Sequence, residues 1–322
     1  MSDNVNTTMN GTQSSSCPSN PAEEKVGMTS AYCLIFIFSL AGNTVIGIIV
    51  YKTKTMRKPI NFFIVNMAMS DLLLPIYVIP WQIQTLYKDS WLISGPLGHV
   101  LCKLVALLPE VSTTVSVQSL VLIAVDRFGA VVFPLRSPLM RSKTCSFFVL
   151  ATWIVAIAVN SPEFIARKLV EYPEKLACER QWNEVFGESL SFETYIMSCI
   201  VLFIFIPLVL IAILYIIIYL KLKSQKIPGE QSANAGQQRL QKERNVRKMA
   251  IAIVLGFAVC SLPVFVYWLT FLFRDTIIWP NCGDPYFVHV VRLMATANCA
   301  INPCICFIFS GNYRKGLKAL LR

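Results

Sequence analysis

Asp71 closes the segment Asn66-Met67-Ala68-Met69-Ser70-Asp71, inside an apolar run that begins near Ile60. An ionisable group surrounded by apolar sequence is costly to bury and usually functional. Oxygen-bearing residues that could meet it stand in other apolar runs: Asn43, Ser116, Asn298 and Asn302. One carboxylate with hydroxyl and amide oxygens suits a small hard cation, so an allosteric sodium ion is the expected occupant. A second charged constellation is Asp126-Arg127, which closes the third apolar run. Glu243 is an acid in the basic stretch Lys242 to Lys248, and an Arg127–Glu243 pair would tie two elements together. His99 and His289 are not at metal-ligand spacing, and the chain holds no H-E-x-x-H, G-x-S-x-G or phosphate loop. An enzyme is therefore not expected.

These residues are positioned by seven apolar runs, beginning near Met28, Ile60, His99, Cys145, Ser191, Met249 and Tyr286. Each reaches the roughly 20 residues that a membrane-crossing helix needs. Lipid offers no hydrogen-bond partners, so each run should be an α-helix. The fold class is all-α, a seven-transmembrane bundle. The predicted organisation is an outer tail over 1–27, the bundle over 28–309, and a short amphipathic helix over 310–322. In that last segment Tyr313, Leu317, Leu320 and Leu321 share a face opposite Arg314, Lys315 and Lys318. The first 27 residues lack an apolar signal core, so the first span is expected to target itself.

The chain is 55% hydrophobic and 15% charged, which excludes an ordinary soluble domain. Its net charge of +11 is not a nucleic-acid footprint, because 20 of the 29 basic residues fall in alternate loops. The positive-inside rule then places the N-terminus outside and the C-terminus in the cytoplasm. Asn6 and Asn10 open glycosylation sequons on the outer tail. Fourteen of the 18 acids lie outside or in the outer halves of spans, leaving that side net negative. Of eleven cysteines, Cys17, Cys102, Cys178 and Cys282 fall outside, an even number that suggests two bridges. Prolines lie deep in the runs at Pro75, Pro80, Pro109, Pro162, Pro207, Pro263 and Pro303, so kinked helices around a cavity are expected.

From Gly42 to Tyr313 the residues resemble the rhodopsin-like (class A) G-protein-coupled receptors. The resemblance rests on Gly42-Asn43, Asp71, Trp91, Cys102, Asp126-Arg127-Phe128 with Pro134-Leu135, Trp153 and Cys178. It continues through Pro207 with Tyr215, then Phe257, Cys260 and Pro263, and ends on Asn302-Pro303. Three positions depart from the family pattern: Phe128 replaces a Tyr, Ser261 a Trp and Cys306 a Tyr. The last two put the usual switching route in doubt, although not the fold.

The resemblance implies a plasma-membrane receptor for an extracellular ligand, coupled to a heterotrimeric G protein. It implies a Cys102–Cys178 disulfide, with Cys17–Cys282 as a second bridge. It also implies a coupling face built from Asp126, Arg127, Tyr215 and Glu243. Thr296 replaces the retinal-binding Lys of light receptors, and Pro109 the Asp of amine receptors. The second outer loop, with Cys178-Glu179-Arg180-Gln181-Trp182, is similar to that of neuropeptide receptors. The expected ligand is a short basic amidated peptide, steered by the acidic outer side. Its pocket is expected among Gln82, Gln84, Glu110, Glu193, His289 and Arg292. A seven-helix transporter or channel is the alternative, opposed by the lack of internal repeats and the single buried acid.

Overall fold

Each apolar run folds into a helix long enough to cross a bilayer in the computed structural model, which describes residues 21–88, 90–133, 142–187, 191–224, 233–272 and 284–321. The seven spans are Ala22–Lys52, Pro59–Tyr87, Gly95–Val132, Thr144–Ala166, Phe192–Lys221, Lys248–Thr270 and Phe287–Phe309. The protein is a multi-pass helical membrane protein. Large apolar side chains such as Leu202, Phe205 and Ile213 on span five, and Val259 and Leu262 on span six, point outward. Such a surface would be a liability in water and is what a hydrocarbon solvent requires.

The prolines bend the spans in two ways. Pro109, Pro162, Pro263 and Pro303 sit inside continuous helices. In spans two and five the backbone widens instead to π-type turns, Leu74–Val78 and Val201–Phe205. Pro80 and Pro207 follow these turns. A proline ring cannot donate to the preceding turn and crowds its carbonyl, and the wider turn relieves that crowding.

The main core lies in the inner half of the bundle, around Phe63, Leu120, Ile123, Ile211, Ile253 and Phe257. Asn66 ties three spans there. Its amide donates to Ser119 Oγ (3.0 Å) and Thr152 Oγ1 (3.1 Å), and its oxygen accepts from Trp153 Nε1 (2.8 Å). A Cβ on Gly42 would stand 2.6 Å from Pro303 Cβ, so spans one and seven approach as closely as only glycine allows.

The terminal helix, Gly311–Leu320, packs as its sequence pattern predicts. Tyr313 is buried, Leu317 and Leu320 rest on the core, and Arg314, Lys315 and Lys318 are exposed. Leu321 lies beyond the helix end and is exposed. Burial pushes the Tyr313 hydroxyl well above its usual pKa, so it stays protonated and donates to Asn61 Oδ1 (3.2 Å).

Two boundaries differ from the sequence pattern. The first helix begins at Pro21, ahead of Met28, with Glu23 and Glu24 complementing its N-terminal dipole. The sixth begins at Ala233, inside the polar stretch 224–241, because Gln, Arg, Lys and Glu are good helix formers however polar. The all-α reading also gains one exception. The second outer loop holds an antiparallel hairpin of β1 (Arg167–Glu171) and β2 (Leu176–Arg180), with Leu169 opposite Cys178. Cys17, Cys282, Asn6 and Asn10 lie outside the described residues, as does the side chain of Glu243.

Candidate functional site

Three polar centres line up through the bundle. The central one is built on Asp71, which is 1% exposed. Its Oδ1 accepts from Ser116 Oγ (3.2 Å) and Ser112 Oγ (3.5 Å), and its Oδ2 from Asn302 Nδ2 (2.8 Å). Ser112 and Ser116 are one helical turn apart and so share a face of span three. Ser112 was not among the residues that sequence singled out, although its spacing from Ser116 was the available signal. The side-chain oxygens of Asn43, Asn298 and Asn302 are buried with no hydrogen-bond partner. Those of Asn298 and Asn302 belong to the predicted set. Asn43 turns its amide to Cys299 O (2.9 Å) and Ser39 Oγ (3.2 Å). Of these three, Asn302 touches the Asp71 carboxylate, and a carboxylate with hydroxyl and amide oxygens is the ligand type that suits a hard cation. No cluster of three His, Cys, Asp or Glu side chains exists among the described residues to favour a softer metal.

The outer centre is roofed by the hairpin. Cys178 on β2 is bonded to Cys102 at the top of span three, with 5.6 Å between the Cα atoms. Trp91 N donates to Leu176 O (2.6 Å), and Trp91, Cys102, Val105 and Leu169 pack together beneath. A second anchor was not foreseen. Glu163, at the end of span four, is buried and accepts from Arg167 Nε (2.8 Å) and from Arg180 Nε (3.0 Å) and Nη2 (3.1 Å). Arg180 also lies 3.5 Å from the Phe192 ring centroid. Burial pushes the Arg167 guanidinium below the usual arginine range, and the Glu163 carboxylate pulls it back up. The four-residue spacing of Glu163 and Arg167 was a legible signal; the approach of Arg180 was not. Trp182 meets Phe186 and Tyr195 in tilted contacts and Phe192 edge-on, and Phe192 in turn meets Trp268, an aromatic cluster in which Trp182 and Phe192 are buried.

Glu110 lies on span three within electrostatic reach of this anchor. Its electrostatic neighbours are Glu163, Arg167 and Arg180, and it also acts on Tyr195. Both arginines are committed to Glu163. The Glu110 side chain is exposed, and no described group bonds its carboxylate. Other predicted pocket residues are spread more widely. Gln82 Oε1 accepts from Thr296 Oγ1 (3.2 Å), and Gln84 Nε2 is drawn to Ser90 O (2.5 Å) in the first outer loop. Glu193 sits half-buried in the first turn of Phe192–Ile200, where its charge complements the helix N-terminus. Arg292 rests over the Trp81 ring (5.9 Å) rather than on Glu110, and His289 is half-buried beside it on span seven.

Several acids of this side are paired in space. Glu163 is neutralised by two arginines and Glu184 by Lys168 (2.8 Å), while Glu179 accepts from Tyr172. Glu110 has no hydrogen-bond or ion-pair partner among the described residues.

At the inner face Arg127 Nε donates to Asp126 Oδ2 (3.1 Å), and its Nη2 closes a second bond to the same oxygen. Tyr215 is buried within electrostatic reach of both. Arg127 borders a cavity of about 590 Å³, walled by the first inner loop, span six and the terminal helix. Ser261 is half-buried, and Cys306 is fully buried in the core, with no aromatic ring at either position.

Comparison with known proteins agrees with this architecture. Residues 42–305 match the family described as 7 transmembrane receptor (rhodopsin family). The chain is 31% identical to a QRFP-like peptide receptor of Branchiostoma floridae, over 90% of this chain and 76% of that protein. It is 28% identical to the RYamide receptor of Drosophila melanogaster, over 92% of this chain and 63% of the relative. It is 30% identical to neuropeptide FF receptor 2 of Mus musculus, over 90% and 71%.

Proposed function

Because the chain belongs to the rhodopsin family of seven-transmembrane receptors, we propose that it is a plasma-membrane receptor for a short, basic, C-terminally amidated peptide. Binding outside would activate a heterotrimeric G protein inside, with the N-terminus extracellular as the loop charges require. The observation that carries the ligand class is Glu110, an exposed carboxylate on span three with no ion-pair partner among the described residues. A cationic side chain or amine is the complement such a group lacks. The relatives above are peptide receptors by name, and one is named for an amide.

Asp71, Ser112, Ser116 and the side-chain oxygens of Asn298 and Asn302 would hold a sodium ion. When bound it supplies the positive charge that the buried carboxylate lacks. These residues come from spans two, three and seven, so their grouping belongs to one arrangement of the bundle. A cation that prefers that arrangement disfavours the other. At the inner face, Arg127 is held by Asp126. Activation is expected to part spans three and six and free Arg127 to line a cleft for a G-protein helix. Glu243 would hold the cleft shut beforehand.

The test is a screen of amidated peptides with a second-messenger readout, followed by Glu110→Gln. Loss of a charge-assisted contact should weaken the best cationic agonist roughly 10- to 100-fold. An analogue with the cation replaced by an isosteric neutral group should bind wild type and mutant alike. An acidic or neutral-lipid agonist indifferent to Glu110→Gln would overturn the ligand assignment.

A further inference from the structure

We propose that Arg292, on span seven, is an anion subsite that takes a carboxylate of the extracellular peptide. The ligand is then dipolar, with a cation for Glu110 and a carboxylate for Arg292. Arg292 is exposed and pairs with no acid among the described residues. No acid stands within one turn of it along the chain, where the positions are Val288, His289, Ala295 and Thr296. Asp284, at the start of the same helix, is eight residues away, about 12 Å along the axis. The groups that do surround Arg292 are the Trp81 ring of span two (5.9 Å) and, within electrostatic reach, Tyr32 of span one, His289 and Arg167. None of them is an acid, and Arg167 is already held by Glu163 (2.8 Å).

An arginine near a helix end often snorkels to the lipid headgroups, which leads it away from the bundle. Arg292 instead has neighbours on spans one and two and on the hairpin, so its charge stands on the side of the outer opening. The turn that carries it is fixed to span two. Thr296 Oγ1 bonds both Arg292 O (2.7 Å) and Gln82 Oε1 (3.2 Å), and Gln82 is buried. A guanidinium held beside a ring keeps its fork of N–H donors, and a carboxylate matches that fork with two parallel bonds. Arg292 and Glu110 do not neutralise each other. The electrostatic neighbours of Glu110 are Glu163, Arg167 and Arg180. Arg167 neighbours both groups, which places them in one region of the outer half. Two opposite charges left apart in one region, each lacking its complement, fit a ligand that carries both signs. The proposal rests on the peptide-receptor reading only for the source of the carboxylate.

The experiment uses the purified full chain in phosphatidylcholine nanodiscs at neutral pH. Saturation-transfer NMR measures two matched pairs of probes, with empty nanodiscs subtracted. The first pair is N-acetylphenylalanine and its neutral amide, which differ at a terminal carboxylate. The second is N-acetylglutamyl-phenylalaninamide and N-acetylglutaminyl-phenylalaninamide, which differ at a side-chain carboxylate. Probes of this size bind in the millimolar range. In at least one pair the acid should bind at least about tenfold tighter than its neutral counterpart. A preference in the first pair alone identifies a free C-terminus as the source; it replaces the amidated end of the proposed ligand and leaves Arg292 in its role. A preference in the second pair identifies an acidic side chain. Arg292→Gln should abolish the preference, and Arg292→Lys should keep part of it. Lys103→Gln removes another outer cation, which rests over the Phe164 ring (4.9 Å), and should change the preference by less than about twofold. Equal binding of acid and neutral probes by wild type would overturn the subsite, and that comparison needs no variant to fold. A preference that survives Arg292→Gln, or that is lost equally in Lys103→Gln, would overturn it too. The Glu110 assignment is read separately with the cationic agonist, so either charge can fail without the other.

Discussion

Replacing Glu163 by glutamine removes the one charge that two arginines share while keeping the side chain's shape. The Glu163 side chain is 5% exposed, and those of Arg167 and Arg180 are 20% and 30% exposed. Removing one partner of a fully buried pair costs about 3–5 kcal/mol. The partial exposure of both arginines lets water recover some of that, and the amide oxygen still accepts one hydrogen bond, so a loss of about 2–3 kcal/mol is expected. For chains of this size about 1 kcal/mol corresponds to a Tm change near 2 °C, giving a fall of roughly 4–6 °C. The assay is thermal unfolding of purified receptor in one detergent, with Glu184→Gln as the comparison. Glu184 and Lys168 are 61% and 45% exposed, and such a pair contributes under about 1 kcal/mol, or less than about 2 °C. A Glu163→Gln protein that melts with wild type, or no lower than Glu184→Gln, would refute the clamp as the hairpin's second anchor.

Four further outcomes follow from the same geometry. Raised sodium should lower agonist affinity, and Asp71→Asn should abolish that response; an unchanged sodium effect in a radioligand competition assay would remove the cation site. Ser112→Ala should weaken the response as Ser116→Ala does, since both hydroxyls reach Oδ1 of Asp71. Cys102→Ser should free the hairpin and sharply lower surface expression, because the bridge closes a loop with a sequence separation of 76 and such loops contribute on the order of 4 kcal/mol. Gly316→Val should unseat the terminal helix from Ile49, reading as faster proteolysis after span seven, whereas Gly311→Ala, whose nearest neighbour is a flexible Arg314 side chain at 3.8 Å, should not.

The spans were legible because a bilayer leaves little choice: a long apolar run must satisfy its backbone internally, and only a helix does so. The terminal helix was legible for the related reason that its apolar face has a clear period. Asp71 announced itself by cost. The hairpin was not legible, since Arg167–Glu171 and Leu176–Arg180 carry charged residues and neither is a strongly alternating strand. The Cys102–Cys178 bond and the Glu163–Arg180 ion pair that flank them join residues distant in sequence. The widening at Leu74–Val78 and Val201–Phe205 was likewise hidden, because proline reports a disturbed helix and not the form the disturbance takes. A count of outer acids could not show which of them pair in space, as Glu163 does with two arginines and Glu184 with a lysine.

The central claim is that an extracellular peptide drives G-protein exchange through this bundle. The most direct measurement reconstitutes the purified chain with heterotrimeric G protein in nanodiscs and follows GTPγS uptake with and without the best amidated cationic peptide. Peptide-dependent exchange in wild type is predicted, with Arg127→Ala losing it while still binding peptide. Peptide that binds without stimulating exchange by any G-protein class, together with ion flux in sealed proteoliposomes of the same preparation, would contradict it.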